Sequence, residues 1–192
     1  MPMPSTPPPE RYTAERILEL MHANWPESCT PASELMVRLH RMRDLFYDAF
    51  CQALVPYGLS AAEFDVLATL RAVPPPYELT PTELYDVVLL SSGGMTKVLK
   101  HLEARYLVTR VANPLDGRST LVRLTPQGKA LVEESMQGSL ANDRALLSRG
   151  LSQREVSRLT NLIGKWLRAV ESVNAKDLTD AALADRHEHR LR

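Results

Sequence analysis

Apolar side chains recur along this chain in two rhythms. Between Thr30-Pro31 and about Val55, the residues Leu35, Leu39, Met42, Phe46, Ala49 and Ala53 follow one another at intervals of four and three. Val156, Leu159, Ile163, Trp166, Val170 and Val173 repeat that spacing near the other end. A stripe of this kind lets one helix lie along another, so two long helices with an apolar seam are predicted. A shorter helix is predicted from about Thr13 to Trp25-Pro26, with Ile17, Leu18 and Met21 on one face. It is too short to stand without something to pack on.

Between the long helices the pattern shortens. Ser60 with Glu63 and Thr80 with Glu83 are capping boxes, in which each side chain satisfies a backbone N–H of the other's turn, so each pair starts a helix. "SSGGMTKVLKHLEARYL" starts a third, with Ser91 as its cap and Val98, Leu99 and Leu102 on the buried side. "VTRV" at 108–111 and "TLVRL" at 120–124 are β-prone runs flanking "ANPLDGRS", whose Asn-Pro and Asp-Gly pairs are turn chemistry. Thr125-Pro126 caps a further helix that closes at 147–150, and Ser152 with Glu155 caps the last.

Three short helices followed at once by a hairpin predict a winged helix-turn-helix. The fold class is mainly α with a small β-hairpin wing, flanked by N- and C-terminal helices whose seams suit packing within one copy or dimerisation with a second. The expected divisions are a Pro-rich disordered segment at 1–10, N-terminal helices at 11–56, the winged domain at 57–126, C-terminal helices at 127–173 and a flexible charged tail at 174–192. The hairpin tip then has a use: the third helix enters a major groove while the wing reaches a neighbouring groove.

Composition narrows the function classes. Lys plus Arg equals Asp plus Glu at 23 each in 192 residues, so whole-chain charge argues for no particular partner. No apolar run reaches about 18 residues, and the first residues lack the order of a signal peptide, so a cytoplasmic location without membrane contact is expected. Cys29 and Cys51 form no metal-ligand spacing; they read as two reduced thiols or as a peroxide-type sensor. The "HEH" at 187–189 reads as solvated, and no metal or cofactor is expected. No nucleophile elbow, P-loop, GxGxxG or HExxH is present, so no enzyme is expected.

Local charge behaves differently. From 91 to 123, Lys97, Lys100, Arg105, Arg110, Arg118 and Arg123 face only Glu103 and Asp116, and six minus two leaves about +4. The expected DNA-facing set is Ser91, Ser92, Thr96, Lys97, Lys100, Asp116, Arg118 and Ser119. Arg118 suits a narrow minor groove or a phosphate, with Asp116 holding its guanidinium; the same pair also reads as an ordinary surface ion pair. Winged helices also dock proteins, so an adaptor stands as an alternative.

"LSSGGMTKVLKHLEARYLV" and "DGRSTLVRLTPQG" resemble the recognition helix and the Asp-x-Arg, Leu-Thr-x-x-Gly wing of the MarR family of bacterial transcriptional regulators, over roughly residues 35–170. The resemblance implies a homodimer of intertwined terminal helices, each copy reading half of a pseudo-palindrome. "NWPE", "GLSAAEFDVLATLRAVPPPYELTPTEL" and "SSGGMT" further resemble the urate-responsive, PecS-like branch. That branch implies an effector pocket lined by Trp25, Asp65 and Arg110, suited to urate or another planar anion. The chain departs from the branch at Val98, where an Arg is usual, and at Tyr106, where a Gly is usual.

Overall fold

The computed structural model describes residues 13–88 and 92–188, with side chains at all of these except 86, 92, 93 and 173–188. The Pro-rich segment 1–10, the expected cap at Ser91, and the 187–189 side chains lie outside the described residues. The chain divides at Asp143 into two units. That point falls inside a helix.

In the first unit, α1 (Ala14–Asn24) is capped by Thr13, whose hydroxyl accepts from the Arg16 N–H. α2 (Pro31–Leu54) starts at Thr30, which shares a reciprocal cap with Ser33. Leu18 is buried, and Arg38 of α2 fixes α1 from outside: its guanidinium donates to Glu15 at 3.2 and 3.3 Å and to Glu34 at 3.2 Å. Along α2, Leu35 and Met42 of the apolar seam are exposed while Leu39, Phe46, Ala49 and Ala53 are half-buried, and the helix enters the core only at its end, through Leu54 and the partly buried Phe50.

A short turn through Tyr57 ends at Gly58 in the left-handed region, and α3 (Ala61–Ala72) follows with the expected Ser60/Glu63 cap. Then come β1 (Glu78–Leu79), α4 (Pro81–Val87) with its Thr80/Glu83 cap, α5 (Ser92–Ala104), β2 (Val108–Ala112) and β3 (Thr120–Leu124). The sheet order is β1-β3-β2, all antiparallel, with Val108 opposite Leu124, Ala112 opposite Thr120, and Glu78 opposite Arg123. The hairpin is as expected. β1 is an addition, since two residues after "PPPY" give no alternation to read.

Phe64, Leu67, Leu70, Leu84, Leu99, Leu102, Leu107, Val122 and Val132 make one core from α3, α4, α5, the sheet and α6 (Pro126–Leu147). Burying such side chains, each stabilising by about 1.5–3 kcal/mol, holds the winged fold together. α6 is brought close to the sheet by Gly128, and the Arg71–Glu133 ion pair at 2.6 Å ties α3 to it.

In the second unit, α7 (Gln153–Glu188) starts at the Ser152/Glu155 cap. Its helix overruns the expected end near Val173 because no Gly or Pro occurs from 174 to 188, leaving nothing to break it. The tail expected from 174 is thus corrected to helix as far as Glu188. Leu159, Leu162, Ile163, Trp166, Leu167 and Val170 are exposed along it.

Candidate nucleic-acid interface

The position of α5 is fixed from two sides. Met95, Leu99 and Leu102 bury one face, and Thr96, Lys97 and Lys100 lie exposed on the other. At its far end α5 is held by Glu63, a buried carboxylate in the first turn of α3. Glu63 accepts from the Ser60 N–H and hydroxyl, each at 2.8 Å, and from His101 Nδ1 of α5. Arg105 adds a cation 3.7 Å away and donates to the Gly58 carbonyl at 2.7 Å. Burial pushes the Glu63 carboxyl up, but the Ser60 bonds and His101 outweigh it and leave it below the ordinary glutamate range. Sequence reasoning found Glu63 only as a cap; its second role joins residues 38 positions apart.

The +4 of residues 91–123 is not spread evenly. Arg105 is engaged by Glu63, Arg110 Nε by Glu103 at 2.7 Å, and Arg123 Nε by Glu78 at 2.6 Å. Among the described residues, Lys97, Lys100 and Arg118 make no ion pair, and all three are exposed. Within residues 91–123 the cations without an ion pair therefore lie at two places, the outer face of α5 and the wing tip.

At the tip, Asp116 does not hold the Arg118 guanidinium. Its Oδ1 accepts from the Arg118 backbone N–H at 3.0 Å, the local Asx geometry available to an Asp two residues upstream, and the guanidinium is left outward. Ser119 is also part of the turn: its hydroxyl donates to the Asp116 carbonyl at 3.2 Å and accepts from Asn113 Nδ2 at 2.8 Å. Both residues shape the wing. Ser91 and the Ser92 side chain lie outside the described residues.

The three effector candidates do not meet in one groove of a single copy. Arg110, with Pro81, Thr82, Tyr85, Met95, Thr96 and Leu99, lines a groove of about 320 Å³. Trp25 and Asp65 do not line it. Trp25 is the C-terminal cap of α1 and is 62% exposed. Asp65 lies on α3, where desolvation raises its carboxyl above the ordinary aspartate range. Val98, at the departure from the branch pattern, packs against the core. A second groove of about 720 Å³, missed by sequence reasoning, is lined by Ser60, Glu63, Lys97, Val98, Lys100 and His101, among others. The thiols of Cys29 and Cys51 are both half-buried and unpaired with each other. Among the described residues no single helix is long and apolar enough to cross a membrane.

The family model for the MarR family matches residues 57–119. The HTH-type transcriptional regulator PecS of Dickeya dadantii is 32% identical over 127 residues, covering 66% of this chain and 76% of that protein. The chain belongs to the MarR family. Within the MarR family, solved structures share its fold. A single-residue variant of MarR from E. coli complexed with operator DNA has a TM-score of 0.60 and 29% identity, covering 77% of this chain and 98% of that one. Bordetella bronchiseptica BpsR, described with regulation of its DNA binding by 6-hydroxynicotinic acid, has a TM-score of 0.60 and 26% identity, covering 72% and 96%. The MarR-family wing motif now has a physical reading. Asp116 closes the turn, Arg118 leaves it, and Thr125 and Gly128 seat α6 against Leu107.

Proposed function

We propose that this MarR-family chain is a homodimeric, sequence-specific DNA-binding transcriptional regulator that represses from a pseudo-palindromic operator. Each copy sets the Thr96, Lys97 and Lys100 face of α5 in a major groove and Arg118 at the adjacent minor groove. The observation that carries this is the coincidence of Lys97, Lys100 and Arg118, each without an ion pair, with the two parts of a winged helix that reach a duplex. A relative solved with operator DNA supports the same assignment. The second copy is argued from the apolar stripes: Leu35, Met42 and Leu45 on α2 and Leu159, Ile163, Trp166 and Val170 on α7 are exposed in one copy. Rows of exposed apolar side chains along a helix, on α2 and separately on α7, mark surfaces suited to a partner. In this division of labour residues 57–126 read DNA, and 11–56 with 127–173 dimerise. The dimer works in the cytoplasm.

The effector we assign is a small planar anion, with urate the first to test, acting through Arg110, Asp65 and Trp25. Arg110 is the anchor: an incoming anion takes the guanidinium from Glu103, on the same helix as Lys97 and Lys100, and so disturbs the reading face. Release requires tighter binding to the DNA-incompetent form, and a hundredfold preference corresponds to about 2.7 kcal/mol.

The test uses a duplex selected by the wild-type dimer from a randomised pool. Fluorescence anisotropy should show affinity falling steeply with salt, and Arg118→Ala should reduce the log–log slope by about one per copy. Urate should release wild type and release Arg110→Ala far less. No retained duplex at low salt contradicts DNA binding and favours a protein adaptor. Release by peroxide, abolished in Cys29→Ser or Cys51→Ser, would move control to a thiol.

A further inference from the structure

We propose that Leu115, at the tip of the wing, is a specificity-determining contact that favours A·T over G·C pairs where the wing meets the minor groove; this rests on the DNA-binding reading above. Leu115 is 95% exposed, the most exposed of the large apolar side chains among the described residues. The turn that carries it is built, not slack. Asn113 Oδ1 accepts from the Leu115 N–H at 3.0 Å, and the Asp116 N–H donates to the Asn113 carbonyl at 3.3 Å. Beyond it, the Ser119 N–H donates to the Asp116 carbonyl at 3.0 Å and the Asn113 N–H to the Ser119 carbonyl at 3.3 Å.

An apolar side chain is thereby held outward on a backbone that is already ordered, so little conformational entropy remains to be lost when it docks. Pro114 widens the apolar tip, and Arg118 leaves the same turn as a cation. Apart from its two chain neighbours, nothing lies within 4 Å of where a Gly117 Cβ would stand, so the turn is open at that residue. The surface complementary to an apolar tip beside a guanidinium is the minor groove. Its walls are deoxyribose C–H groups, its potential is negative, and at A·T pairs its floor lacks the guanine 2-amino group that projects at G·C. Arg118 answers the potential. Leu115 answers the walls and the empty floor, and contributes no salt dependence.

The test compares three versions of the selected duplex that differ only in the pairs under the wing: A·T, G·C, and inosine·C, which keeps the G·C major-groove face but removes the 2-amino group. Wild type is expected to bind the A·T and inosine·C versions alike and the G·C version several-fold more weakly. Leu115→Ala should lose that discrimination while keeping the wild-type salt slope, and Arg118→Ala should lower the slope. Because Leu115 has almost no intramolecular contact, its variant should melt with wild type, which a thermal scan checks. Discrimination by Leu115→Ala equal to that of wild type overturns the proposal while leaving DNA binding intact. Failure of wild type to retain any duplex overturns both.

Discussion

Replacing Gly128 with Ala tests how closely α6 sits on the base of the wing. A Cβ added there would lie 2.0 Å from the Leu107 carbonyl oxygen, 2.9 Å from its carbon and 3.0 Å from Leu124 Cδ1. The nearest obstacle is backbone, and it is already engaged: the Leu107 carbonyl accepts from the Thr125 N–H and from the Thr125 hydroxyl, both at 3.1 Å. The helix must therefore retreat, straining a packed core by about 1–3 kcal/mol, with this site at the upper end. Loosening two hydrogen bonds adds about 1 kcal/mol each, and the better helix propensity of Ala returns just under 1. The net loss is about 2–4 kcal/mol, a drop in Tm of about 4–16 °C for a chain of this length. Thermal unfolding followed by circular dichroism at fixed protein concentration measures it. Gly117→Ala, whose Cβ would meet nothing within 4 Å, serves as the control and should melt with wild type. A Gly128→Ala protein melting within about 1 °C of wild type would refute the close approach.

Glu63 is held below the ordinary glutamate range, so its contribution is fully present at neutral pH and fades on acidification, beginning at about pH 5 and deepening as the folded-state carboxyl protonates. Glu63→Gln should cost about 1–2 kcal/mol at pH 7 and flatten the acid decline in urea titrations, and a parallel decline in both proteins would contradict this. Tyr106 holds a left-handed φ of 57° while its ring is 78% exposed, so little packing offsets the strain. Tyr106→Gly should stabilise by up to about 1 kcal/mol in the same titrations, and a clear destabilisation would show that the ring makes a contact of value.

What the sequence reveals and what it hides divide along a physical line. The caps at Thr13, Ser60, Thr80 and Ser152 and the hairpin strands at 108 and 120 are local: a hydroxyl, a carboxylate three residues on, or an alternating run beside turn residues decides them. β1 is different, because its two residues become a strand only by pairing with Val122 and Arg123, more than forty positions away. The site follows the same division. Lys97, Lys100 and Arg118 are identifiable as a basic cluster, but which cations of residues 91–123 are neutralised depends on Glu63, Glu78 and Glu103, whose reach only the fold determines. For Asp116 the chain gives a carboxylate near an Arg. The turn geometry then hands that carboxylate to the nearer backbone N–H.

Sedimentation of the chain with its selected duplex tests the central claim most directly. One duplex carrying two 21.5 kDa chains is the predicted complex, formed at low salt and dissociating as salt rises. One chain per duplex, or a chain that sediments alone beside free DNA under the same conditions, would contradict it.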